Sequence, residues 1–271
     1  MAVRSPAINV MMKAADRAAR GLRRDFGEVE QLQVSPKGPG DFVSTADLKA
    51  ERILREELSK ARPGYGFLME ESGAIAGKDS EHRWIVDPLD GTTNFLHGIP
   101  HFAISIGLER AGEIVAGLIL DPIKDERYWA EKGTGAYLND RRIRVSSRSK
   151  LADALLATGI PFGGHGDHRG FAAELEAITP AVAGVRRFGA AALDLAYVAS
   201  GRYEGYWERG LSPWDLAAGV IIVREAGGYV SEIEGGEAML ASGSVLAAND
   251  RLHGEISRLL TGKKLLARRG E

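Results

Sequence analysis

Cysteine is absent from this sequence of 271 residues. Its absence excludes disulfide bonds, thiolate zinc sites, iron–sulfur clusters and a cysteine nucleophile, whereas metal sites made of carboxylates or histidines remain open. Because disulfides are typical of oxidising compartments, we expect a cytoplasmic protein. Proline is ordinary at 10 residues but glycine is frequent at 34, which indicates many tight turns.

A long apolar run and an excess of one charge are also missing. The longest apolar stretches are far too short to cross a membrane, and the N-terminus has no apolar signal segment. The 35 Lys and Arg residues nearly balance 37 Asp and Glu residues, which leaves a formal net charge of −2. Proteins that bind nucleic acid or anionic membranes through charge carry a broad basic excess, so we expect neither partner.

The chain length fits one large domain or two closely packed halves. Residues 1–145 begin with two predicted helices, which start at Ser5-Pro6 and at Thr45, and continue with short strands joined by tight turns. This half therefore predicts an antiparallel sheet. Residues 146–271 alternate strands with helices and predict a mixed sheet. Helices on two sheets predict an α/β (α+β) fold, a layered αβαβα sandwich.

Five acidic residues lie where a predicted strand ends or a predicted helix begins. Each alone has a structural explanation, because Asp-Pro and Asp-Gly form turns, Glu-Glu is common on surfaces, and Asp caps helices. Their combination points instead to a common site. These residues are Glu70, Glu71, Asp87, Asp90 and Asp215.

The segment Asp87-Pro-Leu-Asp-Gly-Thr-Thr-Asn-Phe95 joins a buried strand to a short predicted helix. Its two carboxylates, Asp87 and Asp90, and the backbone carbonyl of Leu89 are oxygen ligands of the kind that Mg²⁺ prefers. A helix N-terminus also presents free amide N–H groups to a phosphate. The amides that would bind phosphate are those of Gly91, Thr92 and Thr93.

With these residues the chain resembles the inositol monophosphatase family, and in particular its bacterial inositol-1-monophosphatase branch. The similar motifs span about residues 8 to 260. They are Asp41-Phe-Val-Ser-Thr-Ala-Asp47, Glu70-Glu71-Ser72, Asp87-Pro-Leu-Asp-Gly-Thr-Thr-Asn-Phe-Leu-His-Gly98, Phe188-Gly-Ala-Ala-Ala-Leu-Asp-Leu-Ala196, Tyr206-Trp-Glu208, and Trp214-Asp-Leu-Ala-Ala-Gly219 with Glu225-Ala-Gly-Gly228.

The resemblance implies an Mg²⁺-dependent, lithium-sensitive phosphatase with two or three metal ions. Asp47 and Thr92 would orient the attacking water. One ion would lower the pKa of that water and another would stabilise the leaving oxygen. The implied metal ligands are Glu70, Asp87 and Leu89 for the first ion, and Asp87, Asp90 and Asp215 for the second.

The same resemblance implies a phosphorylated polyol as substrate and a homodimeric assembly. Besides the amides of residues 91–93, Asp90, Ala191 and Glu208 would contact the polyol. The sequence departs from the family near Lys37, where the loop is one residue shorter than in animal relatives, so that the part played by Lys37 stays open. His165 and His168 lie in a glycine-rich loop, and we expect solvated side chains there.

The leading functional hypothesis is a phosphoric monoester hydrolase that acts on inositol 1-phosphate or a related polyol phosphate. The metal motif recognises phosphate alone, so fructose 1,6-bisphosphate, NADP⁺, 3′-phosphoadenosine 5′-phosphate and histidinol phosphate remain alternative substrates. A third hypothesis, of another class, is a regulatory binding protein of the transcription or RNA machinery.

Overall fold

The computed structural model describes residues 4–28, 34–38, 41–161 and 166–262. The side chains of Lys37 and His165 lie outside the described part. Two outer helices form the first layer, α1 (Pro6–Phe26) and α2 (Thr45–Ala61). Helix α1 begins where the Ser5 side chain accepts a hydrogen bond from the Ile8 amide, and its buried residues recur at helical spacing. Both starting points agree with the sequence prediction.

An eight-stranded sheet forms the second layer, in the order β10-β9-β8-β7-β6-β5-β3-β4. Its neighbours are antiparallel except for β3 and β5, because the chain turns back through β4 and then crosses β3 before it forms β5. A separate hairpin precedes it, β1 (Val34–Gly38) with β2 (Asp41–Ser44). The strands are β3 (Gly66–Met69), β4 (Gly73–Ile75), β5 (His82–Asp90), β6 (Ala103–Arg110), β7 (Glu113–Asp121), β8 (Glu126–Glu131), β9 (Gly135–Leu138) and β10 (Arg141–Ile143).

Two buried helices, α5 (Ala191–Ala199) and α6 (Pro213–Glu225), form the middle layer. The second sheet has the order β12-β11-β13-β15-β14 and mixes parallel with antiparallel neighbours. Outer helices α4 (His168–Ile178) and α8 (His253–Thr261) cover it, and short helices α3 (Thr92–Leu96) and α7 (Met239–Ser242) complete the chain. The strands are β11 (Leu155–Thr158), β12 (Gly184–Arg186), β13 (Gly205–Glu208), β14 (Tyr229–Ser231) and β15 (Val245–Ala248).

This arrangement confirms the predicted αβαβα sandwich. One buried cluster combines α5 and α6 with residues of both sheets, such as Tyr128 of β8 and Tyr206 of β13. The division into halves at residues 145 and 146 stays a prediction, since the two sheets share this core. None of the helices within the described ranges is both long and apolar enough to span a bilayer.

Helix α6 lies against the first sheet where β6 and β7 carry glycine. A Cβ at Gly117 would come within 2.7 Å of the Ala218 carbonyl oxygen and 2.6 Å of Ile221 Cγ2. The helix backbone can therefore approach the sheet only because these positions have no side chain.

We expect Gly117→Ala to lower the free energy of unfolding by about 1–3 kcal/mol, because α6 must move away from the sheet. Chemical denaturation measures the change. The matched control is Gly21→Ala in α1, where no atom lies within 4 Å of the added Cβ, and it should gain about 0.5–1 kcal/mol. A Gly117→Ala protein as stable as the wild type would contradict the close-packing argument.

Candidate active site

One cavity of about 710 Å³ opens where the first sheet meets the middle helices. All the predicted metal ligands and all the predicted substrate contacts line it. They are Glu70, Asp87, Leu89, Asp90, Gly91, Thr92, Thr93, Ala191, Glu208 and Asp215. Residues about 145 positions apart in the chain are therefore brought together by the fold.

Strand β5 positions Asp87 and Asp90, which are both buried. The pairing with β6 is regular up to Asp87 and shifts register before Asp90, so the strand bulges between the two carboxylates. The Leu89 amide donates to Asp87 Oδ1 at 2.8 Å, and the Ala192 amide donates to Asp90 Oδ2 at 2.8 Å. The second bond ties the start of α5 to the end of β5.

Glu70 reaches the cavity from the end of β3. Its amide donates to the Val86 carbonyl of β5 at 3.2 Å. The next amide, of Glu71, donates at 2.9 Å to Oε2 of Glu51, a buried residue of α2. Helix α2 therefore holds the turn that positions Glu70.

Asp215 lies at the third position of α6 and forms a capping box with Ser212. The Ser212 amide donates to Asp215 Oδ2 at 2.7 Å, and Ser105 Oγ of β6 donates to the Trp214 carbonyl at 3.1 Å. The cap expected from the sequence is thus present, and its carboxylate also lines the cavity. Asp215 serves both purposes because it has two oxygens.

Three of the four carboxyl groups, those of Asp87, Asp90 and Asp215, have raised pKa values. Burial, then the charges of Glu70, Asp90 and Asp215, raise the pKa of Asp87 well above its usual value. Burial and the charge of Asp215 do the same for Asp90, and burial raises the pKa of Asp215 to about 7. Side-chain hydrogen bonds join Asp87 to Glu70 and to Asp215. Such bonds need a proton between two carboxyl groups, which a cation could replace.

Asp47 and Thr92 are hydrogen-bonded to each other, and of the two only Thr92 lines the cavity. The Thr92 hydroxyl is 3.0 Å from Asp47 Oδ1 and 3.0 Å from the Leu89 carbonyl oxygen, and its single proton serves one acceptor at a time. Asp47 is fully buried, and Oδ2 accepts from the Ser44 amide at 2.8 Å and from the Ser44 hydroxyl at 2.6 Å. Burial raises the pKa of Asp47, although these hydrogen bonds oppose the shift.

Gly91 is the N-cap of helix α3, and its φ of 89° lies in the left-handed region that favours glycine. The first amides of α3 have no carbonyl partner within the helix, so they are free to bind an anion. Asn94 Nδ2 donates to the carbonyls of His101 at 2.8 Å and Phe188 at 2.7 Å. These bonds hold α3 between β6 and the segment that leads into α5.

Ala191 and Glu208 also line the cavity. Burial raises the pKa of Glu208 to about 7, against a hydrogen bond from Tyr206 and the charge of Arg187. Asp194, for which the sequence predicts no role of its own, is 1% exposed, and its Oδ1 accepts no hydrogen bond from any described group. Its only signal in the sequence is a carboxylate within the apolar run of α5. His168 is exposed at the start of α4 and does not line the cavity.

No three His, Asp or Glu side chains in the described ranges already form a group that could hold a metal ion. The charges of Glu70, Asp90 and Asp215 raise the pKa of Asp87, which places these carboxyl groups near one another. Their chemistry nevertheless fits a hard cation, because every donor is an oxygen and the negative charges repel without a counter-charge.

A model of the inositol monophosphatase family matches residues 3–264. This chain belongs to the inositol monophosphatase family. Among its relatives is a protein named inositol-1-monophosphatase from Mesorhizobium japonicum, 63% identical over 247 residues, which cover 91% of this chain and 93% of the relative. A protein of Pseudomonas aeruginosa named Nus factor SuhB is 42% identical over 250 residues, with 91% and 92% covered.

The fold of the family is also the fold of this member. A crystal structure of extragenic suppressor protein suhB from Bartonella henselae superimposes with a TM-score of 0.93 at 55% identity, and it covers 96% of this chain and 100% of that chain. This similarity agrees with the layered sandwich predicted from the sequence.

The raised pKa values predict that stability falls as pH rises. Asp215 and Glu208 keep protons up to about pH 7 when folded, but they release them near their usual pKa values of 3.8 and 4.5 when unfolded. Between these limits Asp215 and Glu208 bind more protons in the folded chain than in the unfolded chain. Their contribution to the free energy of unfolding therefore decreases as pH rises from about 4 through about 7. We therefore expect a higher Tm near pH 5 than near pH 8.

Thermal unfolding with a chelator present measures this difference. Asp215→Asn should flatten the dependence, whereas Asp153→Asn, at an exposed position, should retain it. A wild-type Tm that stays constant or increases between these two pH values would contradict the shared-proton arrangement.

Proposed function

We propose that this chain is an inositol-phosphate phosphatase, an Mg²⁺-dependent phosphomonoesterase that hydrolyses inositol 1-phosphate or a related polyol phosphate to the free polyol and phosphate. The observation that carries the proposal is the meeting of Glu70, Asp87, Asp90 and Asp215 in one cavity, next to the first amides of α3. The name of the 63% identical relative supports this substrate.

The donor set fits two or three Mg²⁺ ions. Glu70, Asp87 and the Leu89 carbonyl would hold one ion, and Asp87, Asp90 and Asp215 would hold another. Bound Mg²⁺ supplies Lewis acidity: it lowers the pKa of water, neutralises the phosphoryl charge and stabilises the leaving oxygen. The carboxyl groups contribute the negative charge that attracts the ions, and the hydrogen bonds from the Leu89, Ala192 and Ser212 amides hold them in position.

Asp47 and Thr92 handle the proton of the attacking water in this proposal. When the Thr92 hydroxyl donates to Asp47, its oxygen lone pairs remain free to accept a hydrogen bond from water. Asp47 then receives the proton that the hydroxyl passes on. The burial that raises the pKa of Asp47 makes it a better proton acceptor than an exposed carboxylate.

We expect Thr92→Ala to lower kcat about 100-fold with a smaller change in KM, since the lost hydroxyl acts on water rather than on the polyol. Thr92→Ser keeps the oxygen and should recover most of the activity. Steady-state kinetics with inositol 1-phosphate measures both. Equal loss in the two variants would mean that the methyl group matters rather than the hydroxyl.

The anionic substrate would bind between two parts of the cavity. The amides of Gly91, Thr92 and Thr93 would donate hydrogen bonds to the phosphate, an arrangement that a helix start favours. Asp90, Ala191 and Glu208 would contact the polyol hydroxyls. Carboxylates suit this role because hydroxyl groups donate to them.

We expect Asp90→Asn to reduce phosphate release from inositol 1-phosphate by at least about 100-fold, because it removes a charge shared by metal and substrate. A chelator should abolish the wild-type activity, and added Mg²⁺ should restore it. Asp153→Asn is the matched surface control. Full activity in the chelator, or an active Asp90→Asn protein, would rule out the proposed mechanism.

Two alternatives to hydrolysis of inositol 1-phosphate can be tested. The other phosphate esters named above share the metal chemistry, and a substrate panel ranked by kcat/KM separates them from inositol 1-phosphate. The relative named Nus factor SuhB favours a regulatory role in transcription as the second candidate. A cellular phenotype that survives Asp90→Asn would support that candidate.

Lithium sensitivity, a homodimeric state and a cytoplasmic location belong to the proposal and rest on the family resemblance and the composition. Phosphate release in the presence of LiCl and light scattering of the purified chain address the first two.

A further inference from the structure

Gly159 and Glu208 are neighbours across two parallel strands. Strands β11 and β13 pair in parallel with Thr158 next to Trp207, so the following residues, Gly159 and Glu208, lie side by side. A Cβ at Gly159 would come 1.8 Å from Glu208 Oε1, 1.9 Å from Cδ and 2.2 Å from Oε2. The Glu208 carboxylate thus occupies the space that a side chain at position 159 would need.

Backbone conformation does not explain glycine at this position. Gly159 is not among the residues with positive φ, so its conformation is open to other residues. The three nearest atoms to the added Cβ all belong to the end of the Glu208 side chain. Space for one carboxylate is therefore the feature that glycine provides here.

Tyr206 holds the same carboxylate from within the core. Its ring is fully buried, and its hydroxyl donates to Glu208 Oε2 at 2.5 Å. Tyr206 and Glu208 are two residues apart on β13 and so share one face of the strand. The Glu208 carboxylate thus occupies the space that Gly159 leaves free and accepts a hydrogen bond from the phenol of Tyr206.

We propose that Gly159 and Tyr206 are positioning residues that seat the Glu208 carboxylate, and that this seat sets the preference of the cavity for phosphate esters of polyols. The inference rests on the proposed function, in which Glu208 accepts hydrogen bonds from a polyol hydroxyl. Neither residue touches the reacting atoms. They act on the reaction by fixing the position of the Glu208 carboxylate.

The substitution Gly159→Ala moves that carboxylate without disturbing the backbone. Ordinary contact with a Cβ begins near 3.4 Å, so the oxygen now at 1.8 Å must move by about 1.6 Å. A long side chain makes that movement by rotation, so the fold should be retained. A hydrogen bond displaced by this distance is lost.

The test compares wild type, Gly159→Ala and Tyr206→Phe on two substrates, inositol 1-phosphate and 4-nitrophenyl phosphate, which has no hydroxyl for Glu208. In Gly159→Ala we expect the ratio of their kcat/KM values to fall about tenfold to a hundredfold through KM for inositol 1-phosphate, the effect of losing a hydrogen bond to a charged group. Tyr206→Phe should lower the ratio in the same direction. The control Gly21→Ala should leave it unchanged.

A double-mutant cycle separates seating from a general structural effect. Once Glu208→Ala has removed the carboxylate, adding Gly159→Ala should lower the ratio no further, since the added Cβ meets no carboxylate. Additive losses, or an unchanged ratio in Gly159→Ala, would overturn the role of Gly159. An unchanged ratio in Tyr206→Phe would overturn the role of Tyr206, and this variant also tests the seat if Gly159→Ala fails to fold.

The same data distinguish failure of the inference from failure of the proposed function. A wild-type protein that cleaves 4-nitrophenyl phosphate but no polyol phosphate would contradict the proposed function. If the wild-type protein cleaves inositol 1-phosphate but Gly159→Ala leaves the ratio of the two kcat/KM values unchanged, the proposed function is retained. Only the positioning role of Gly159 is then wrong.

Discussion

Repulsion among the carboxyl groups of the cavity is the constraint on which the rest of the site depends. Placing ionised carboxylates together in a protein interior costs several kcal/mol for each ion unless protons or cations compensate them. The chain holds three of them with one backbone N–H each: Leu89 for Asp87, Ala192 for Asp90 and Ser212 for Asp215. Because these hydrogen bonds keep the three carboxyl groups from moving apart, the site attracts positive charge.

Such fixed geometry requires a rigid frame, and the middle layer provides it. Helix α6 packs on glycines of the first sheet, and the Ala192 amide of α5 donates a hydrogen bond to Asp90. Both helices share one core with the two sheets. The cavity therefore lies where the first sheet meets the middle helices, and both supply predicted ligands: Asp87 and Asp90 come from β5, and Asp215 comes from α6.

Structural and chemical roles coincide in the same residues. Asp47 and Asp215 each occupy the third position of a helix and form a capping box with the preceding serine. A helix cap explains both residues, and for Asp215 the cap also orients the carboxylate that lines the cavity. A cap uses one carboxylate oxygen and leaves the other for the site.

Sequence patterns predicted the layered α/β fold, the starts of α1 and α2 and an oxygen-rich site around Asp87–Phe95, because helix periodicity, strand ends and this motif are local features. Ala191 and Glu208, which also line the cavity, were implied only by the family resemblance. Only the tertiary structure decided that Asp215 reaches Asp87, that Asp194 is a buried carboxylate, and that Gly159 lies under Glu208. These facts depend on which strands become neighbours, and strand order is set by packing between segments far apart in the chain.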